Sequence, residues 1–130
     1  MRVAVRAPRL ALLALAGVFV AGILPAAAQI NPFNNSNAPG KPLQQSDMTQ
    51  LFASVDKLNK APNVKPGAQE TWSNSATGAH GTSKVTSVRK IGSTTCHVIH
   101  HEIEAPSWAK PAVYNLTWCP DAKGEWKIRQ

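Results

Sequence analysis

The chain predicts an α+β domain, a single helix packed on a five-stranded antiparallel meander. Three observations carry that expectation. Apolar residues between Met48 and Leu58 recur at spacings of three and four. Beyond Pro62, short β-branched and aromatic runs alternate with Gly- and Pro-bearing turns. Two cysteines, Cys96 and Cys119, lie inside that β-rich stretch and are the only ones in the chain.

The helix is predicted over 47–60, where Met48, Leu51, Phe52, Val55 and Leu58 form one apolar face. Asp47 is placed to cap its first turn, with Gln50 three residues on as the reciprocal partner. Lys57 and Lys60 occupy the last turn, where the helix dipole favours positive charge, and Pro62 forbids continuation. The polar face has no row of basic residues, so the stripe is read as packing on a sheet rather than on a membrane.

The strands are predicted at 70–75, 82–91, 94–104, 112–119 and 125–129, with turns at Ala76-Thr77-Gly78, Gly92-Ser93 and Pro120 to Gly124. The residue faces follow from the period of two. Ala112, Tyr114, Leu116 and Trp118 share the core side of the fourth strand, which sends Cys119 to the other side. A bridge to Cys119 then places Cys96, Val98, His100 and Glu102 outward, and His97, Ile99, His101 and Ile103 inward. Trp126 and Ile128 face inward against Glu125, Lys127 and Arg129.

The first 28 residues read as a secretory signal peptide. Arg2, Arg6 and Arg9 precede an apolar run from Leu10 to Leu24, and Pro25 with Ala26-Ala27-Ala28 supplies a cleavage site between Ala28 and Gln29. The rival reading is an uncleaved anchor, but a spanning helix needs roughly 20 apolar residues and this run is shorter. No adjacent arginines mark the twin-arginine route, and no cysteine lies near the cleavage site to carry a lipid. The expectation is a soluble periplasmic or secreted product of the general export pathway, with no membrane span after cleavage. Residues 29–45 are rich in Pro, Asn and Gly and show no period, so they read as a flexible linker ahead of a domain at 46–130.

An even cysteine count in an oxidising compartment reads as one disulfide, with a free thiol or a metal pair as the alternatives. The loop it closes, about 24 residues, is worth roughly 3 kcal/mol by the chain-entropy estimate. Three of the fourteen basic residues leave with the leader. The remaining eleven face seven acidic ones, and the net charge falls from +7 to +4. That balance suits an anionic envelope polymer but gives no nucleic-acid footprint, because no basic cluster exceeds Arg89-Lys90.

The densest polar group is His97-Val98-Ile99-His100-His101-Glu102, and imidazole suits zinc or copper. On a strand, His97 and His101 share a face but lie about 13 Å apart, and His100 points the other way. His80 lies in another turn. These four are the candidate ligands of a histidine-based metal carrier, and the strand reading opposes it; no cofactor is expected. No G-x-S-x-G elbow is present, and Glu102 and Glu104, roughly 6.6 Å apart along a strand, read as a solvated strand end rather than a glycosidase pair.

Trp72, Asn74, Gly78 and Gly81, then Cys96, then Cys119, Gly124 and Trp126 give the patterns W-x-N-x-x-x-G-x-x-G and C-x-x-x-x-G-x-W. In order and short-range spacing this resembles the C-terminal domain of the rickettsial-type outer-membrane surface antigens, over roughly residues 70–129. The resemblance implies a small β-rich envelope domain with an internal disulfide and no established catalysis. Unlike members of that family, this chain has no lipid-anchoring cysteine and no glycine zipper. Without the family, Gly78, Gly81 and Gly124 read as positive-φ turn positions, and Trp72 and Trp126 as core area. The functional expectation is a non-enzymatic envelope protein that binds another envelope component, protein or anionic polymer. The second candidate is an inhibitor of a wall-degrading enzyme.

Overall fold

The computed structural model describes residues 31–34 and 39–129. The leader and its cleavage site, Ala28 and Gln29, lie outside the described residues. The elements run in order: a 3-10 turn at Pro32–Asn34, helix α1 (Gln45–Lys60), then strands β1 (Gln69–Ser73), β2 (His80–Ile91), β3 (Thr94–Glu104), β4 (Ala112–Pro120) and β5 (Trp126–Ile128). The strands form one antiparallel meander in the order β1-β2-β3-β4-β5, with α1 packed against its inner face. The expected α+β architecture is therefore present.

Met48, Leu51, Val55 and Leu58 are buried along one side of α1. They meet Val85, Ile99, Ile103 and Trp118 from the sheet in one continuous core. The helix starts two residues before the predicted position, because Asp47 is not its cap. Asp47 is the third helical residue, and its carboxylate accepts the backbone N–H of Gln44 at 2.8 Å. The same carboxylate, only 2 % exposed, accepts from Asn74 Nδ2 at 2.8 Å and from the Thr77 hydroxyl. Asp47 thus ties the helix start to the β1–β2 turn, a partnership about 30 residues away in sequence. At the other end Ala61, extended at ψ 147, stops the helix before Pro62.

The face assignments hold across β3, where His97, Ile99, His101 and Ile103 are all buried. Between β2 and β3 the register slips at Thr86, between the Val85–Ile99 and Ser87–Val98 pairs. Such a bulge bends a strand and increases its twist. Cys96 and Cys119 are bonded, one step beyond the paired His97 and Trp118, with 4.5 Å between their Cα atoms. The bridge therefore staples β3 to β4 on the face away from the helix. No helix among the described residues is long and apolar enough to cross a membrane.

Two expectations are corrected. Of the flexible linker predicted at 29–45, the described residues 31–34 and 39–45 include two that enter the core: Phe33 is wholly buried and Leu43 is 7 % exposed. Trp108 Nε1 also donates to the Lys41 carbonyl at 2.7 Å, clasping that segment to the β3–β4 loop. Burying a ring of this size stabilises by roughly 1.5–3 kcal/mol. Second, Gly81 is not a positive-φ turn residue. It lies within β2 opposite Trp72, and a Cβ there would meet the Trp72 indole nitrogen and the Glu102 carbonyl at 2.7 Å each. Gly81 is needed for close approach, whereas Gly78 (φ 77) and Gly124 (φ 82) serve turns as predicted.

Candidate functional site

The residues that carried the sequence resemblance make structural contacts. Trp72 is buried over Gly81, Asn74 organises the β1–β2 turn, and Gly124 closes the β4–β5 hairpin beneath Asp121. Cys96 and Cys119 are consumed by their bond. Trp126 differs, because it is only half-buried and one face of its indole lies against His97.

The four histidines do not converge. His80 bridges the Gly78 carbonyl at 3.2 Å and the Glu104 carboxylate at 3.5 Å, both near the surface. His100, on the outer face, meets Asn115 Oδ1 at 2.9 Å. Among the described residues no three His, Cys, Asp or Glu side chains gather to hold a metal ion. His97 and His101 both point inward, but to different partners.

His101 is wholly buried and its two ring nitrogens are both engaged. Trp118 Nε1 donates to Nε2 at 3.1 Å, which leaves the ring proton on Nδ1, 2.8 Å from Ser83 Oγ. The Phe33 ring stands edge-on to the imidazole at 5.2 Å. Burial, and secondarily the neighbouring His100, pushes the His101 pKa down to about 3, so the ring is neutral at physiological pH.

His97 sits four residues earlier on the same face. Its Nδ1 donates to Asn59 Oδ1 at 2.8 Å, and its ring stacks on Trp126 with centroids 4.4 Å apart. Burial lowers its pKa too. Asn59 belongs to α1 and is 3 % exposed, yet its amide nitrogen Nδ2 has no partner. A buried donor left unpaired costs about 1–3 kcal/mol, so such groups are uncommon.

Asn59 also lines a cavity of about 290 Å³ between α1 and the β4–β5 corner, together with Phe52, Asp56, Trp118, Trp126 and Lys127. Phe52 and Trp118 meet edge-on at 6.2 Å and form one wall, while Trp126 forms another. Asp56 is held at 3.0 Å by Lys60. The lining chemistry is thus three rings, one amide with a free donor, one carboxylate and one ammonium. A second hollow, of about 460 Å³, lies on the His97 side of Trp126 and is also lined by Asn59. A larger, more open groove of about 790 Å³ runs between α1 and β1 beside Trp72, whose indole N–H is also unpaired.

Sequence reasoning pointed to His97 and Trp126 separately but missed Asn59, the residue that joins them. Its signal was present: position 59 follows Val55 by four on the apolar stripe, so an amide there is a polar group on a buried face. Comparison of the chain with family models, with curated proteins and with solved structures finds no match, so the site is read from its own geometry.

Proposed function

We propose that this is a non-enzymatic cell-envelope protein, exported through the general pathway to the periplasm or beyond, which holds an envelope component in the cavity between α1 and β5. The observation that carries this reading is the unpaired amide donor of Asn59, set against an aromatic-walled cavity. Sites that bind small groups are mostly apolar with a few placed polar groups, and this lining has that composition. Its one carboxylate is tied to Lys60, and its rings and amide are groups that hold a ligand rather than transform it.

The charged leader pattern, the single disulfide and the surface-antigen resemblance of Trp72 to Trp126 support the same compartment. With Asp56 paired to Lys60, the charge left in the cavity lining is the Lys127 ammonium, which favours an uncharged or anionic partner, in keeping with the mature charge of +4.

The test has two parts. Fractionation of cells expressing the full chain should place it outside the cytoplasm with Gln29 at its N-terminus and no free thiol. The purified product should be retained by isolated envelope material, and Trp126→Ala should abolish retention. A cytoplasmic location, or retention indifferent to Trp126, overturns the proposal.

A further inference from the structure

We infer that the cavity beside Asn59 takes one 2-acetamido sugar unit of an envelope glycan. This rests on reading the cavity as a binding site and adds the class of ligand. Its volume, about 290 Å³, is at the lower edge of the roughly 300–1,000 Å³ typical of ligand pockets. That admits one ring with a short substituent rather than a peptide or a bulky lipid.

The lining then narrows the chemistry. A purely apolar ligand would leave the Asn59 donor unpaired. A cation would meet Lys127, and the one carboxylate in the lining, Asp56, is already paired with Lys60. A bare phosphate would gain the single ammonium of Lys127 but would bring its charge against Asp56 and three aromatic walls.

An acetamido sugar satisfies each group. Its carbonyl accepts from Asn59 Nδ2, and its methyl lodges against Phe52 and Trp118. Its amide N–H donates to Asp56, the C–H face of the ring lies on the Trp126 indole, and a hydroxyl accepts from Lys127. His97 acts as a positioning residue. By occupying Asn59 Oδ1 from β3 it fixes the amide with its nitrogen free, and it backs the far side of the Trp126 ring. The nitrogen is shielded from water in this structure, so entry of the sugar requires Trp126, half-buried on a strand of three residues, to move aside.

The test is titration of the purified full-length product with chitotriose and with cellotriose, which carries a hydroxyl in place of each acetamido group, read by calorimetry and tryptophan emission. Chitotriose should bind saturably and at least about tenfold more tightly than cellotriose, the ratio that one buried hydrogen bond supplies. Asn59→Leu should erase that preference, Trp126→Ala should weaken both sugars, and Val113→Ser, on the opposite face, should change neither. Equal affinity for the two sugars, or no saturation by chitotriose at millimolar concentration, overturns the inference. The selectivity is read on the unsubstituted protein, so a variant that fails to fold does not decide the outcome. If chitotriose fails while envelope material is still retained in a Trp126-dependent way, the sugar is wrong and the binding function stands. If retention is lost as well, both fail.

Discussion

His97 and His101 lie on one face of one strand, four residues apart, and are both buried, yet their surroundings are opposites. Around His101 the polar groups are paired: Trp118 donates to one ring nitrogen, Ser83 meets the other, and Phe33 covers the ring. Around His97 the pairing stops one bond short. Asn59 answers the histidine with its oxygen and leaves its nitrogen unused beside a cavity. The same residue type on the same face thus serves as a sealed strut at one end and as a positioning group at the other. The difference is carried by partners from distant segments, not by the strand itself.

The largest expected effect breaks the sealed end. Phe33→Ala should lower unfolding free energy by about 3–5 kcal/mol in urea titration, because it opens a cavity among His101, Tyr114 and Phe52. A loss below 1 kcal/mol would show that the segment before α1 is a tether after all.

Replacing both cysteines with alanine should remove about 3 kcal/mol, the entropy of the loop the bridge closes. The staple is adjacent to His97 and five residues from His101. Hydrogen exchange should therefore accelerate more at the start of β3 than at its end, and a uniform acceleration would argue against two distinct ends.

The third effect is acid sensitivity. The folded pKa of His101, about 3, is below its unfolded value near 6.5, so the unfolded chain takes up the proton first. Stability from this group is complete above pH 6.5 and falls as the pH drops toward 3, by up to about 1.4 kcal/mol per pH unit. His97, also depressed, acts in the same direction. His101→Gln should flatten this slope whatever it does to the stability at neutral pH, and an unchanged slope would contradict the buried neutral ring.

The smallest effect sharpens the contrast. Ser83→Ala unpairs a buried ring nitrogen and should cost about 1–3 kcal/mol. Asn59→Leu should cost less than about 1 kcal/mol, because the lost His97 bond is offset by removal of a donor already unpaired. Thermal denaturation of the two variants side by side decides this, and equal losses would remove the distinction.

Much of the architecture was legible because it is written in local periods. The β-branched run from Thr94 to Glu104 defines β3 at both ends, and the alternation in β4 places Trp118 inward and Cys119 outward, which aligns the disulfide. The misses share one cause. Phe33 and Leu43 are single apolar residues in a Pro- and Asn-rich stretch, and their burial depends on a surface built by later strands. Asp47 was assigned to a local cap because its second role, holding Asn74 and Thr77, lies across the fold. The candidate site was barely legible for the same reason: Asn59 and His97 are 38 residues apart, and nothing local announces their bond.

The most direct measurement is a nitrogen-15 NMR titration of the protein with chitotriose, following the Asn59 side-chain amide and the Trp126 indole against the backbone signals of Ser83 and His101. The account predicts that the first pair shifts saturably while the second stays in place. An Asn59 amide that never moves, or shifts of equal size at both ends of β3, would contradict it.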